Sequence, residues 1–134
     1  MLRKLIRVSL AAALGMIATM FATAQDKKDD RPDVKEIMRK GHARGEGYID
    51  LIRAATKAEK WDDAQKYAKL LASGGEVLGK NKVAKGDPES WKSLCEKYAT
   101  ATKTALKGTE DKDSKLVAKG LGAIACGDCH KLHK

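Results

Sequence analysis

The feature that most constrains this chain is the sequence Cys126-Gly127-Asp128-Cys129-His130, close to its C-terminal end. If such a segment is helical, side chains three and four positions apart lie on one face. The spacing C-x-x-C-H is typical of covalent c-type haem attachment, in which two thiols add to the porphyrin vinyl groups and the adjacent imidazole binds iron. The pattern predicts one covalent haem c, attached through Cys126 and Cys129, with His130 as an iron ligand.

Other kinds of site also use a C-x-x-C pair. A zinc site needs four ligands, and the sequence has no second C-x-x-C or H-x3-5-H pair to complete one. A thioredoxin-like redox pair requires a βαβ context, which the sequence does not indicate. A disulfide between Cys126 and Cys129 remains the alternative to haem attachment.

Residues 1–24 have the three parts of a secretory signal peptide. The start is basic, with Arg3, Lys4 and Arg7; residues 8–21 form an apolar stretch, and residues 22–24 (Ala-Thr-Ala) form a small-x-small cleavage site. We predict a cleaved signal peptide and a location in the bacterial periplasm, an oxidising compartment. The alternative is a retained anchor, because the apolar stretch is at the short limit of what spans a bilayer as a helix. After cleavage we expect no membrane span.

The charged composition limits the class of partner. The 27 Lys and Arg residues exceed the 18 Asp and Glu residues, for a formal net charge of +9. The basic residues are interspersed, and no basic–aromatic pattern suggests stacking on nucleic-acid bases. We therefore expect redox partner proteins with acidic surfaces and no nucleic acid. The sequence is compatible with a monomer or a homodimer.

After the signal peptide, apolar residues recur every three or four positions, as in amphipathic α-helices, with no alternation typical of strands. Residues 25–32 are charged and poor in apolar residues, so we expect a disordered tether there. Asp33 is a candidate N-cap and predicts a first helix over residues 33–58. Glycines weaken its middle, and close approach of a flat macrocycle would explain Gly41 and Gly45.

Three more helices are predicted. The second begins near Trp61, and the third begins at Pro88 after Asp87 as its N-cap and ends at Gly108. The fourth runs into the C-x-x-C-H motif. Amphipathic helices with short polar connections predict an all-α domain over residues 33–134, an antiparallel four-helix bundle whose cofactor site is built from facing helices.

A helical chain whose single C-x-x-C-H motif lies at the C-terminus resembles the class II cytochromes c, the cytochrome c′ group. The resemblance covers residues 33–134 and implies thioether attachment through Cys126 and Cys129, with His130 as the proximal ligand. In that family the distal residue comes from the first helix, either as a ligand such as methionine or as an apolar side chain that leaves iron five-coordinate. This sequence departs from the commoner family pattern because it has His42 on the apolar stripe of the first predicted helix and no aromatic residue after the motif.

The first helix carries two candidates for the sixth iron ligand. His42 is the only histidine outside the motif segment and lies on the apolar stripe, and Met38 lies one turn earlier on the same stripe. Imidazole and thioether both bind haem iron. We predict His42 as the sixth ligand, with Met38 as the alternative and a vacant site as a third possibility.

The predicted function is electron transfer. Six-coordinate iron that cycles between ferric and ferrous states carries single electrons between redox partners, so we do not expect an enzyme. The alternative is a five-coordinate, cytochrome c′-like protein that binds nitric oxide or carbon monoxide at a vacant iron position.

Four other residues are assigned supporting roles. We predict that Cys95 is a buried small hydrophobe, with an intermolecular disulfide as the alternative. His133 is expected to be an exposed terminal residue. Arg44 and Arg53 flank the first-helix stripe and are candidates to meet the haem propionates.

Overall fold

The structure is a computed structural model that describes residues 30–134. These residues form six α-helices and no strand, so the prediction of an all-α fold is confirmed. The predicted signal peptide and residues 25–29 of the predicted tether lie outside this part of the chain. The helices are α1 (Val34–His42), α2 (Tyr48–Lys57), α3 (Trp61–Leu78), α4 (Pro88–Glu110), α5 (Ser114–Gly122) and α6 (Cys126–His133).

Aspartate side chains fix the starts of α1 and α4. Asp33 Oδ1 accepts a hydrogen bond from the Glu36 amide at 2.7 Å, and Asp87 Oδ2 accepts one from the Ser90 amide at 2.7 Å. Each carboxylate satisfies an amide that has no partner inside the helix, and each lies at the positive end of the helix dipole. Both caps, and the start of α4 at Pro88, agree with the sequence prediction.

The predicted continuous first helix over residues 33–58 is wrong, because a turn at residues 43–47 divides it into α1 and α2. Gly45 has φ +79°, a left-handed conformation that glycine adopts without steric cost. The Gly45 amide donates a hydrogen bond to Asp50 Oδ2 at 2.7 Å, so the first turn of α2 stabilises the interruption. The turn ends α1 at His42.

The predicted fourth helix is also divided, into α5 and α6, by residues 123–125. The motif therefore occupies a short helix of its own. The predicted end of the third helix at Gly108 is wrong as well, since α4 continues to Glu110. Gly108 instead allows α4 and α5 to approach closely, because a Cβ there would lie 2.5 Å from the Val117 amide nitrogen.

Helices α2 to α5 pack against one another in chain order, and α2 also contacts α5. Helix α1 packs on α2 and α3, and α6 packs on α4. The largest fully buried apolar side chains are Ile52, Leu71, Leu78 and Val117. Helix α6 contributes no buried residue, so polar contacts near its end help to hold it on the domain. No helix within residues 30–134 has both the length and the apolar character to cross a membrane.

Candidate cofactor site

Helix α6 carries the C-x-x-C-H motif on its first turns, after Ala125 as the N-cap residue. Cys129 is half-buried, whereas Cys126 and His130 are exposed. Burial raises the pKa of the Cys129 thiol, and the neighbouring Cys126 raises it further. The motif thus offers two thiols and an imidazole along one short helix, all within reach of a molecule bound beside it.

A cavity of about 540 Å³, here called the motif cavity, lies where α1, α4 and α6 meet. Its volume falls within the roughly 300–1,000 Å³ typical of small-molecule and cofactor sites, and its lining is mostly apolar. The structure brings all five sequence-predicted site residues to this cavity. They are Cys126, Cys129, His130, His42 and Met38, and Tyr98, Arg39 and Leu78 line the same space.

A second cavity, of about 340 Å³, shares three lining residues with the motif cavity. Met38, Cys129 and His130 line both cavities, and Trp91 and His133 line the second one. Together the two cavities provide space along the motif-bearing side of α6. The Met38 side chain is the part of α1 that is common to both.

The His42 imidazole is hydrogen-bonded inside the motif cavity. Its Nε2 lies 2.9 Å from the Tyr98 hydroxyl oxygen, and the two ring centroids are 5.6 Å apart. Burial lowers the pKa of His42, and the charge of His130 lowers it further, and both effects favour the neutral form of the ring. Whichever group donates the proton, Nε2 has no lone pair left for a metal, because it either accepts from the hydroxyl or carries a hydrogen. His42 can bind iron through Nε2 only by giving up Tyr98.

Tyr98 is tightly enclosed. It is 8% exposed, and burial raises the pKa of its hydroxyl. A Cβ added at Gly41 would lie 3.6 Å from the Tyr98 hydroxyl oxygen and 3.3 Å from Leu71 Cδ1. At Gly75 a Cβ would lie 3.3 Å from Tyr98 Cδ1. Core side chains thus lie close to Gly41, and Gly45 forms a turn, so both glycines also have a structural role that does not depend on a macrocycle.

His133 holds the C-terminal helix, and the prediction that it is an exposed terminal residue is wrong. Its Nδ1 donates a hydrogen bond to the Lys85 carbonyl oxygen at 2.8 Å, and its Nε2 lies 3.1 Å from Ser90 Oγ. The half-buried ring also contacts Trp91 edge-on, with centroids 5.5 Å apart. His133 thus ties α6 both to the loop before α4 and to α4 itself.

The loop residue Gly86 completes this attachment. It has φ +90°, which favours glycine, and a Cβ there would lie 2.6 Å from His133 Nδ1. Lys85 Nζ also donates a hydrogen bond to the Lys134 carbonyl oxygen at 3.2 Å. The basic loop before α4 therefore helps to position the motif helix.

The predicted supporting residues divide into those near the cavities and those in the core. Cys95 is buried, as predicted, at 4% exposure, and burial raises the pKa of its thiol to about 11. A thiol so covered does not reach a second chain while the domain is folded. Arg53 lines a neighbouring cavity with Cys126 but is paired with Asp50 at 3.3 Å, whereas Arg39 lines the motif cavity itself.

Sequence analysis missed the roles of Tyr98, His133 and Arg39. A signal for Tyr98 was present, because a buried tyrosine hydroxyl needs a partner and His42 is the one histidine on the apolar stripe of the predicted first helix. Within residues 30–134, no group of three or more His, Cys, Asp or Glu side chains is arranged to hold a metal ion.

No protein-family model, no curated protein and no solved structure matches this chain. The case for its function therefore rests on the residues of the site.

Proposed function

We propose that this protein is a periplasmic monohaem c-type cytochrome that carries single electrons between redox partners and is not an enzyme. The observation that carries the proposal is the meeting of Cys126, Cys129 and His130 with the α1 side chains of Met38 and His42 around one largely apolar cavity. These are the side-chain types that covalent haem attachment and axial ligation need.

The residues present fit the cofactor. Two cysteine sulfurs, one on each side of a two-residue spacer, open onto a cavity of cofactor size, and neither is engaged in a disulfide. A mostly apolar lining keeps water away from a bound macrocycle and so favours the less charged of two redox states. When bound, haem supplies an iron that accepts and releases one electron.

Each part of the site has a distinct task in this proposal. Cys126 and Cys129 hold the macrocycle, and His130 is the proximal ligand. The distal ligand comes from α1, from His42 or from Met38. Met38 lines both cavities beside His130, whereas His42 Nε2 is engaged by Tyr98. Leu78, which is 2% exposed, contributes a buried apolar side chain to the wall of the motif cavity.

The packing order supports an antiparallel four-helix bundle of the class II cytochrome c type. In such a bundle each helix contacts the next and the last returns to the first. Helices α2, α3, α4 and α5 have this order, since α2 contacts α5. Helices α1 and α6 would then be extensions of the first and fourth bundle helices that carry the two sides of the cofactor site.

Basic side chains near the two cavities support the proposal that the redox partner has an acidic surface. Arg39 lines the motif cavity, and Lys35 and Lys134 line the second one. Long-range attraction from such a basic rim accelerates encounter with an acidic docking face and is screened by salt. Arg39 is also placed to meet a carboxylate of the cofactor.

The test is acid–acetone extraction of the protein after it is produced together with a c-type maturation system. We expect haem to stay with the polypeptide, because thioether bonds survive unfolding. Cys126→Ser and Cys129→Ser should each lower the yield of covalent haem, while Cys95→Ala, which removes the buried third thiol, should not. Free haem in the organic phase, or covalent haem at the wild-type level in both serine variants, would refute the proposal.

The ferrous spectrum with and without carbon monoxide separates the two candidate functions. A low-spin protein that binds carbon monoxide slowly or not at all supports electron transfer with an α1 side chain on iron. A high-spin wild type that binds carbon monoxide rapidly contradicts that and favours the gas-binding alternative.

A further inference from the structure

The hydrogen bond between Tyr98 and His42 joins two helices inside the motif cavity, 56 positions apart in sequence. Neither covalent attachment nor proximal ligation uses it. Tyr98 therefore needs an explanation of its own, because its hydroxyl is the group that occupies the one candidate imidazole ligand on α1.

We propose that Tyr98 is a positioning residue that holds His42 Nε2 away from iron, so that the distal ligand is the Met38 thioether. This inference rests on the proposed function and deepens it, because it assigns the distal ligand and names the residue that selects it. The competing candidate, His42, then serves as the partner of Tyr98 and as part of the cavity wall.

The Tyr98 side chain is held in place by its surroundings. Its ring is 8% exposed and lies close to Gly41 of α1 and Gly75 of α3, where an added Cβ would come within 3.6 Å and 3.3 Å of Tyr98 atoms. Tyr98 belongs to the longest helix of residues 30–134, α4, which packs on both α3 and α5. The hydroxyl is therefore a fixed point to which the half-buried imidazole at the end of α1 is tied.

Occupation of Nε2 follows from this contact in either tautomer. If the hydroxyl donates, the Nε2 lone pair is used, and if Nε2 carries the hydrogen, it has no lone pair to offer. Exchange of Tyr98 for iron would leave the hydroxyl of a buried tyrosine without its partner, which is unfavourable.

Met38 is better placed than His42 to be the distal iron ligand. It lies one turn before His42 on α1 and lines both of the cavities that Cys129 and His130 line. Its side chain is half-buried and unbranched, so the sulfur can adjust to a cofactor without movement of the helix.

Tyr98→Phe tests the proposal, because it removes only the hydroxyl and keeps the ring that fills the core. The matched control is Tyr67→Phe, in which a tyrosine that stacks on Tyr48 loses its hydroxyl away from the cavity. The readouts are the ferric optical spectrum, the reduction potential, and nitrogen NMR of the His42 ring in the haem-free chain. The variants Met38→Ala and Tyr98→Phe/His42→Ala complete the set.

We expect the wild type and Tyr67→Phe to show the charge-transfer band of a methionine–iron bond, and Met38→Ala to lose it. In Tyr98→Phe the band should disappear and the potential should fall, since methionine ligation raises the potential relative to bis-histidine ligation. Addition of His42→Ala to Tyr98→Phe should restore the band. In the haem-free chain, Tyr98→Phe should shift the Nε2 resonance of His42.

A Tyr98→Phe variant with the spectrum and potential of the wild type would overturn the inference. So would a wild type that loses its low-spin spectrum on His42→Ala but keeps it on Met38→Ala. Both outcomes leave covalent haem in place, and so differ from failure of the proposed function, in which haem is extracted from the wild type.

Discussion

Docking of the motif helix is predicted to depend on Gly86. An L-residue with the left-handed backbone found there, at φ +90°, costs about 1–2 kcal/mol. In Gly86→Ala the new Cβ would also lie 2.6 Å from His133 Nδ1 and 2.7 Å from the Leu132 carbonyl oxygen. Both atoms belong to α6, so the substitution strains the loop and pushes α6 away from it.

The size of the second effect is limited by the docking energy of α6, because the helix can detach to relieve the contact. The hydrogen bonds of His133 to Lys85 and Ser90 contribute about 0.5–1.5 kcal/mol each. The edge contact with Trp91 contributes about 0.5–1.5 kcal/mol more. The backbone cost and full loss of these contacts add to about 2.5–6.5 kcal/mol, which is the most by which Gly86→Ala should lower the free energy of unfolding of the haem-free protein.

Gly45→Ala is the matched control. Gly45 also has a positive φ, +79°, but a Cβ there would meet no atom within 4 Å, so only the backbone cost of about 1–2 kcal/mol applies. Urea denaturation followed by circular dichroism measures both losses, and hydrogen exchange of the α6 amides detects detachment. Equal losses in the two variants, with unchanged α6 exchange in Gly86→Ala, would refute the role of this loop in docking.

Three further predictions concern the core, the buried thiol and the basic rim. Leu71→Ala, at 2% exposure, should cost about 2–5 kcal/mol in urea denaturation, and an equal loss in the adjacent Leu70→Ala, at 44% exposure, would contradict the assigned core. Because burial raises the pKa of Cys95 to about 11, the folded chain holds this proton more tightly than the unfolded chain, and the free energy of unfolding should fall as pH rises from about 9 to about 11. Cys95→Ala should flatten that fall, and an unchanged pH dependence in this variant would show that the thiol is accessible. Arg39→Gln should slow oxidation of the ferrous protein by ferricyanide at low ionic strength and weaken its salt dependence, and the same change in Lys66→Gln would show that no local basic rim is involved.

Local signals in the sequence were sufficient for the helical character of the domain and for several of its boundaries. Asp33 and Asp87 cap the helices that they were predicted to cap, because an N-cap acts on amides only a few residues away. The period of the apolar residues likewise reports which face of each helix is buried. The C-x-x-C-H motif is local as well, and its three reactive side chains lie on one short helix.

The interruptions of the first and last predicted helices were decided by tertiary structure. A glycine lowers helix stability, but its presence in the sequence does not determine whether the helix breaks there or another helix packs on it. Gly45 forms a turn that Asp50 supports, whereas Gly108 stays helical against α5. Which outcome occurs depends on neighbours that composition and periodicity do not identify.

The partners within the site were also decided only by the fold. Tyr98 and His42 are 56 positions apart, and His133 and Lys85 are 48 apart, so no local pattern connects either pair. The sequence determined which chemical groups are available, namely two thiols, an imidazole and two candidate ligands on the first helix. The packing of α1, α4 and α6 determined that one of those candidates is already hydrogen-bonded, because a buried hydroxyl takes the partner that the surrounding helices bring within reach.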